Sequence, residues 1–263
     1  MNVRNWIRLI FINYIEMDNK LNLSVGILAW KSGQTLVNTL KTYFDREFLH
    51  KVNDVCILFQ EFSEQDRQIA EHFNIPYIPH QTNIGIGNAF IELAEQAKSP
   101  NLLLLEHDWK LIEDEKTTVE RLQSGIDLLD LNYKCVRYRH RKDPGHPHFS
   151  QKFNGQWLTY YDKLFETTSP HLLDSIHWNE SDILFPDKIQ KVGEYFVCGS
   201  RYGNWTNNPC MFKTQFYIDT VKPFTGGGID LEGKISKWWC EQPYRVAHGE
   251  GLFKHQDEGK YGR

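Results

Sequence analysis

PHQTNIGIGNAFIELAEQAKSPNLLLLEHDW, residues 79–109, is the stretch that decides the fold. It begins with a glycine-punctuated turn at residues 83–87, and in the following run the apolar positions 90, 93, 94 and 97 recur at helical spacing. A Ser-Pro break then leads into the apolar run 102–105, which stops abruptly at Glu106-His107-Asp108. The stretch therefore predicts a turn, a helix and a buried strand that ends in two carboxylates.

These carboxylates lie where a functional site is expected. An unbroken apolar strand is typical of the centre of a parallel sheet, and ligands of such sheets bind beyond the carboxyl ends of the strands. Because residues two apart on an extended chain point the same way, we expect Glu106 and Asp108 to converge while His107 points elsewhere. Paired carboxylates suit a divalent cation such as Mg2+ or Mn2+. The alternative is two acids at a solvated strand end.

Composition narrows the class of protein. A chain of 263 residues, 40% of them hydrophobic, can bury a substantial core as a globular α/β protein. The net charge of −4 and the scattered basic residues leave no basic stripe, which argues against a nucleic-acid partner. The five cysteines show no CxxC spacing and are odd in number, so we expect reduced thiols and a cytoplasmic location.

The first 22 residues are expected to stand apart from the domain. They contain an apolar run at residues 6–12 that is too short to cross a bilayer and has no small-residue cleavage site. An extra helix or leader is one interpretation. The other is a membrane-surface helix, which would make the protein membrane-peripheral.

Strand and helix patterns alternate four times within the first 110 residues. The predicted strands cover residues 23–29, 55–59, 75–78 and 102–105, and the third contains a proline that favours a place near the sheet edge. This alternation predicts a parallel, right-handed α/β sheet flanked by helices.

The order of these motifs along the chain resembles that of a known enzyme family. A strand near the N-terminus, an acid after the second strand, the turn Asn83-Ile84-Gly85 and an apolar strand running into Glu106-His107-Asp108 together resemble the GT-A glycosyltransferases, in particular the inverting family 2. That family has Asp-x-Asp where this chain has Glu106-His107-Asp108. The resemblance implies a Rossmann-like, mostly parallel central sheet in a single domain, residues 23–263. Residues 23–110 would be the nucleotide-sugar-binding half and residues 111–263 the acceptor-binding half.

The resemblance also implies an activity. A sugar would pass from a nucleoside diphosphate, UDP as first guess and GDP as second, to a hydroxyl of a glycan or other acceptor with inversion, assisted by Mn2+ or Mg2+. Asp230 would be the general base, with Glu232 in reserve. The implied metal ligands are Glu106, Asp108 and His255, with His248 as the alternative to His255. The implied donor-binding residues are Ala29, Trp30, Glu61, Asn83, Gly85, Asn88, Glu106 and His107.

Other interpretations stay open. In the family a Glu-Asp pair supplies the general base, and this chain has Ile229 in place of the Glu before Asp230. The incomplete pair motivates a second interpretation, a catalytically silent sugar- or nucleotide-binding protein of the same fold. A sugar-nucleotide nucleotidyltransferase would also use an α/β sheet and a carboxylate-held cation, but Trp30-Lys31-Ser32-Gly33 is a poor phosphate loop. His146 and His148 could bind a transition metal, although an exposed loop is the commoner outcome.

Overall fold

The computed structural model describes residues 20–145, 181–225 and 231–256, together with strands 152–153 and 156–157 and the single residues 167 and 170. In chain order the elements are β1 (Leu21–Trp30), α1 (Gly33–Asp45), β2 (Val52–Gln60), α2 (Glu64–His72), β3 (Tyr77–Pro79), α3 (Ile86–Gln96), β4 (Asn101–Glu106), β5 (Trp109–Leu111), α4 (Glu115–Asp130), β6 (Cys135–Arg139), β7 (Lys152–Phe153), β8 (Gln156–Trp157), α5 (Ser181–Leu184), β9 (Ile189–Val192), β10 (Tyr195–Gly199), β11 (Cys210–Lys213), α6 (Thr214–Val221), α7 (Leu231–Cys240) and β12 (Arg245–His255).

One sheet runs through the described residues in the order β3-β2-β1-β4-β11-β6-β12-β10-β9, and β5 pairs with β12. The first four strands of this order are mutually parallel. β6 and β12 are parallel to each other, while β11 lies antiparallel between β4 and β6. The mostly parallel α/β sheet expected from the sequence is therefore confirmed, with antiparallel strands interleaved in its second half. β3 lies at the sheet edge, as predicted from Pro76 of the predicted strand 75–78, although β3 itself covers Tyr77–Pro79.

Both faces of the sheet are covered by helices. Leu103 and Leu105 of β4 pack in one buried cluster with α1, α2 and α4, whereas Leu102 and Leu104 pack in a second cluster with α3, α6 and α7. All four leucines are 3% exposed or less. This two-sided burial is the physical reason that residues 102–105 are apolar without alternation.

Helix starts follow from local chemistry. Ser63 caps α2 in a reciprocal arrangement in which its hydroxyl accepts from the Asp66 backbone and the Asp66 carboxylate accepts from the Ser63 backbone. The Asp114 carboxylate caps α4 by accepting from Thr117 N at 2.7 Å. Both helices therefore begin at a side chain that satisfies a backbone N–H of the first turn.

The last strand is longer than the sequence predicts. The pattern predicts a strand over residues 244–248, with residues 249–255 leading into a polar tail at residues 256–263, but β12 runs from Arg245 to His255. A register shift between His248 and Phe253 allows this, and Gly251 within it has a φ of +86°, which favours glycine. The extension pairs His255 with Trp109 and so brings the end of β12 to the segment after β4.

Within the described ranges no helix is both long and apolar enough to cross a membrane. Several residues singled out from the sequence lie outside those ranges, namely Asp230, His146, His148 and residues 1–19 of the N-terminal segment.

Candidate active site

A pocket of about 300 Å3 lies at the carboxyl ends of β1, β2 and β4. Ligands of parallel α/β sheets bind beyond the carboxyl ends of the strands, and the pocket lies at that position. The lining residues are Leu28, Trp30, Gln60, Asn83, Ile86, Glu106, His107, Asn207, Leu231 and Glu232. Five of the residues predicted from the sequence, Trp30, Asn83, Glu106, His107 and Glu232, are thus brought together around one cavity.

Trp30 is held at the rim of this pocket by its neighbours. Its indole N–H donates to Glu61 Oε1 at 3.0 Å, and the other Glu61 oxygen pairs with Lys31 Nζ at 2.8 Å. The Lys31 ammonium also lies 4.9 Å from the centroid of the Trp30 ring. Hydrogen bonds from Lys31 and Trp30 lower the pKa of Glu61, so its carboxylate stays ionised. Trp30 remains 43% exposed, which leaves a fixed aromatic face open to a ligand.

The backbone at this rim is strained. Lys31 and Glu61 follow β1 and β2 directly, and both have left-handed φ angles, +48° and +52°. Such conformations cost non-glycine residues about 1–3 kcal/mol and cluster at functional sites. The two side chains meet across two neighbouring strand ends, where Lys31 Nζ lies 2.8 Å from Glu61 Oε2. Glu61 therefore supports Trp30 and is not part of the pocket lining, and Ala29 is fully buried in the core.

Gln60 is a pocket residue that sequence reasoning missed. It ends β2, is 4% exposed, and its Oε1 accepts from Ile84 N at 2.8 Å. Asn83 Oδ1 accepts from Gly85 N at 2.8 Å, so the turn before α3 is tied both to itself and to β2. Gly85 has a φ of +82°, the conformation expected of a glycine in this turn. The signal in the sequence was a polar residue directly after the apolar run 55–59.

Asn88 has a structural contact. Its side-chain Nδ2 donates to Ile84 O at 2.8 Å, and the residue is exposed. Asn88 is not among the residues that line the pocket. Its predicted donor contact therefore stays a prediction.

The segment after β4 differs from the expected geometry. Residues 107 and 108 form a turn, so the premise that an extended strand continues through Asp108 is wrong. Thr39 Oγ1 donates to His107 O at 2.7 Å, and Gln256 N donates to Asp108 O at 2.8 Å. The turn leaves Glu106 and His107 lining the pocket, while Asp108 is only 2% exposed and lies outside the lining.

Asp108 instead meets His255. Their Oδ2 and Nε2 atoms are 3.3 Å apart, although the residues are far apart in sequence. Ligands at about 2.1 Å from a cation in adjacent octahedral positions lie about 3.0 Å apart, so the pair has a spacing that two metal ligands could adopt. Burial, and next the negative charge of Asp108, raise the pKa of Tyr43 well above its usual range. A buried carboxylate and an imidazole thus share a region of low polarity.

The full predicted metal set is not assembled. Among the residues that the structure describes, no three His, Cys, Asp or Glu side chains lie close enough to hold a metal ion together. Asp108 and His255 meet, whereas Glu106 lines the neighbouring pocket. His248, the alternative ligand, is buried and its Nε2 lies 2.9 Å from Arg139 O. Two of the three residues therefore fit a cation site, and any further ligands would have to come from elsewhere.

Glu232 is the second acid of the pocket lining, and it comes from a different element than Glu106. It lies in the first turn of α7, and its Oε1 accepts from Asn207 N at 2.6 Å. Leu231, the first residue of α7, also lines the pocket and packs near Gly87 of α3. Asp230 directly precedes Leu231 in the chain but lies outside the described residues.

Searches for similar proteins give a clear result for structures only. No family model matches the chain. No curated protein matches it either. Among solved structures, S. aureus TarS 1-349 in complex with UDP-GlcNAc aligns with 91% of this chain and 60% of its own, at a TM-score of 0.52 and 14% identity. The mannosyltransferase PcManGT from Pyrobaculum calidifontis, in complex with GDP-Man and Mn2+, aligns with 91% of this chain and 59% of its own, at a TM-score of 0.54 and 8% identity.

The chain has the GT-A fold. It spans about 60% of the length of the TarS 1-349 and PcManGT chains that it matches. At 8% and 14% identity the GT-A likeness establishes architecture, and activity has to be argued from the site.

Proposed function

We propose that the protein is a glycosyltransferase of the inverting, family 2 type, which moves a sugar from a nucleoside diphosphate to an acceptor hydroxyl. The observation that carries the proposal is the pocket at the ends of β1, β2 and β4, because it gathers an aromatic face, a buried amide and two carboxylates in one cavity of the GT-A fold. UDP-sugars are the first candidate donors and GDP-sugars the second. The structures of TarS with UDP-GlcNAc and of PcManGT with GDP-Man support both kinds of donor and do not rank them.

The donor would bind with its base against Trp30. The exposed indole face offers stacking area, and its bond to Glu61 fixes the ring before binding, which lowers the entropy cost of association. The buried amide of Gln60 supplies polar recognition beside it. Asn83 lies on the same wall, on a turn that Gln60 holds in place. These contacts would hold the nucleotide so that the sugar points toward Glu106 and Glu232.

Asp230 would take the proton of the acceptor hydroxyl. This assignment rests on the resemblance and on chain connectivity, since the following residue, Leu231, lines the pocket. Glu232 stays the reserve, and its bond from Asn207 N suits a carboxylate with an orienting role. Deprotonation of the hydroxyl as it attacks the anomeric carbon gives a single displacement, which inverts the configuration.

Asp108 and His255 would hold the cation, with Glu106 nearer the donor. A carboxylate with an imidazole favours Mn2+ over Mg2+, because Mg2+ prefers oxygen ligands throughout. When bound, the cation would neutralise charge on the departing diphosphate. His255 is held for this role by the pairing of β12 with β5 and by its edge-to-face contact with Trp109, at 4.8 Å between ring centroids.

The test is donor turnover by the purified full chain. UDP-, GDP- and dTDP-sugars are supplied with Mn2+ and a panel of hydroxyl acceptors, and released nucleoside diphosphate is measured with and without EDTA. We expect release for at least one donor, and we expect EDTA to suppress it. A Trp30→Ala variant should bind that donor more weakly, while Leu131→Ala, at a position 67% exposed, should not change. Consumption of a sugar 1-phosphate with a nucleoside triphosphate would instead indicate a nucleotidyltransferase.

A second candidate is a silent nucleotide-sugar-binding protein. The observation that favours it is the burial of Asp108 outside the pocket lining. Saturable donor binding with no release for any donor and acceptor pair would support this candidate and contradict the transferase proposal.

We also propose a cytoplasmic location. All five cysteines lie in the described ranges and none forms a disulfide bond there, as expected in a reducing compartment. Trapping the thiols in intact cells before lysis measures this directly, and oxidised cysteines would contradict it.

A further inference from the structure

Gln256 is a buried amide joined to both members of the proposed cation pair. It directly follows His255 in the chain, and its backbone N donates to Asp108 O at 2.8 Å. The residue is only 5% exposed, although it lies beyond the last residue of β12. The proposed transfer reaction gives this side chain no role.

Two contacts on α1 decide which end of the Gln256 amide is the nitrogen. Nε2 donates to Thr35 O at 3.3 Å, and a backbone carbonyl can only accept. Nε2 also contacts Thr39 Oγ1, which donates its own proton to His107 O at 2.7 Å and therefore accepts from Gln256. Both neighbours require N–H groups, so the oxygen Oε1 is the opposite end of the amide.

The oxygen of this amide has no hydrogen-bond partner among the residues that the structure describes. Gln256 Oε1 is buried and accepts from none of them. A buried carbonyl oxygen that accepts nothing costs free energy, and nearly all such oxygens in folded proteins have a partner. The partner of Oε1 is therefore expected to be a bound group.

Helix α1 holds this amide against the turn at residues 107–108. Thr39 is fully buried and links Gln256 Nε2 to the first carbonyl of that turn. Tyr43 lies one helical turn further along α1, and its hydroxyl donates to the backbone carbonyl that follows the turn, at 2.6 Å. Since α1 contacts the backbone before and after Asp108, the amide and the Asp108 carboxylate lie in one packed region.

The charge of this region favours a cation as the bound group. Asp108 is 2% exposed, so water screens its negative charge poorly and the region disfavours an anion. Asp108 Oδ2 and His255 Nε2 are 3.3 Å apart, a spacing that two ligands of one cation could adopt. Carbonyl oxygens, like carboxylates, are ligands that suit Mn2+ and Mg2+.

We propose that Gln256 Oε1 is a further protein ligand of the cation that Asp108 and His255 hold. The inference rests on the cation site of the proposed function and adds a ligand that carries no charge. With a single carboxylate among these three ligands, a divalent cation keeps a net positive charge, which is the charge needed to neutralise a departing diphosphate.

Manganese binding to the full chain tests this role without measuring transfer. Mn2+ is titrated into the unmodified protein and into Gln256→Leu, alone and with UDP or GDP, and bound ion is measured by electron paramagnetic resonance. We expect Gln256→Leu to bind Mn2+ about tenfold more weakly or worse, because even residues that only support a metal ligand contribute this much. Gln65→Leu, at an exposed position on α2, is the matched control and should bind like the unmodified protein.

Gln256→Glu separates a ligand from an amide that only packs. It loses both donor contacts on α1, as Gln256→Leu does, but it keeps an oxygen and adds a negative charge. We expect it to bind Mn2+ at least as tightly as the unmodified protein, although both variants should melt at a lower temperature. Equal loss of Mn2+ affinity in the two variants would assign the amide a packing role and overturn the proposal.

Pulsed electron–nuclear double resonance reports the bond itself in the unmodified sequence. The full chain is made by cell-free synthesis with glutamine that carries 13C at Cδ, and Mn2+ is added. A coordinated amide oxygen places this carbon about 3 Å from the ion. We expect a 13C coupling that Gln256→Leu abolishes and Gln65→Leu retains, and a spectrum without that coupling overturns the proposal.

These measurements also distinguish a failure of this inference from a failure of the proposed cation site. If Asp108→Asn weakens Mn2+ binding and Gln256→Leu does not, the cation site stands and Gln256 is not one of its ligands. If the unmodified chain binds no Mn2+, with or without UDP or GDP, both proposals are wrong.

Discussion

Gln60 gives the sharpest prediction for the donor pocket, because its two polar atoms have separate tasks. Its Oε1 accepts from Ile84 N, which fixes the side-chain orientation. Within the described residues its amide nitrogen donates to no protein group, although the residue is 4% exposed and lines the pocket. An amide N–H that makes no bond within the protein and lines a pocket is open to an acceptor on a ligand. We therefore expect the amide to donate to a carbonyl oxygen of the donor's base.

Two substitutions separate these tasks. Gln60→Glu keeps an oxygen for Ile84 N but removes the N–H donors, whereas Gln60→Leu removes both. The loss of one hydrogen bond to a buried group costs about 1–3 kcal/mol, which is roughly a 5- to 150-fold weaker dissociation constant. We expect both variants to bind the donor more weakly by this factor. Only Gln60→Leu should also lower the melting temperature, because it leaves Ile84 N without its acceptor.

Isothermal titration with UDP and GDP measures the affinities, and calorimetric melting measures stability. Gln65→Leu is the matched control, since Gln65 is exposed on α2 and outside the pocket lining, and it should bind like the unmodified protein. Unchanged nucleotide affinity in Gln60→Glu would refute the assignment of the amide donors to the base. Equal destabilisation in both Gln60 variants would refute the separation of tasks.

The proposed cation pair, the proposed base, Cys56 and Gly251 each give a separate prediction. Asp108→Asn should weaken Mn2+ binding, measured by electron paramagnetic resonance, and slow transfer by about 3–4 kcal/mol of barrier; unchanged Mn2+ affinity would contradict the ligand role. Asp230→Asn should lower kcat by about 10²–10⁴ at unchanged donor affinity, whereas Glu232→Gln should lower kcat less than tenfold; the reverse ranking would make Glu232 the base. The pKa of Cys56 rises from 9.0 to about 11 on folding, so its alkylation should stay slow until the pH approaches 11, and fast alkylation at pH 8 would contradict this. Because the folded protein holds the thiol proton more tightly than the unfolded chain, the stability that Cys56 contributes should be lost as the pH rises from about 9 to about 11. Gly251→Ala should destabilise the fold by about 1–3 kcal/mol in thermal melts, because its Cβ would lie 2.3 Å from Arg139 O at a φ of +86°, and an unchanged melt would contradict this.

Local patterns were enough to predict the first half of the fold. Apolar strands alternate with helical runs over residues 23–110, and this alternation predicts parallel strands that are joined by right-handed helical crossovers. The continuous apolar run of β4 likewise indicates burial on both faces, which its two core clusters confirm. These features depend on neighbours in sequence, and sequence reasoning reads such features well.

Long-range pairing was the part that could not be predicted. β11 lies between β4 and β6, although residues 140–209 separate it from β6 in the chain and residues 107–209 separate it from β4. Nothing in the sequence of residues 210–213 indicates that this strand pairs with β4 and β6. The full length of β12 was hidden for a related reason, since Gly249 and Gly251 look like turn residues until the register shift against β6 shows that they belong to a bulged strand.

The residues of the candidate site also differ in whether local sequence or long-range contacts determine their position. Trp30, Asn83 and Glu106 follow strands or turns that can be read locally, and the structure places all three on one pocket. Asp108 required knowledge of a turn that Thr39 and Gln256 stabilise from outside the motif, so the alternation rule failed one residue after the strand ended.

The pairing of Asp108 with His255 links the proposed cation site to the register of β12. His255 is opposite Trp109 in the β5–β12 ladder, and Gln256 N donates to Asp108 O immediately afterwards. A slip of one residue in that ladder would turn His255 to the other face of the strand and separate it from the Asp108 carboxylate. The donor pocket would keep Trp30, Gln60 and Asn83, because these residues depend on β1, β2 and the turn before α3. The proposed nucleotide pocket and the proposed cation pair therefore depend on different ladders of one sheet, and a change in β12 should impair the second while it spares the first.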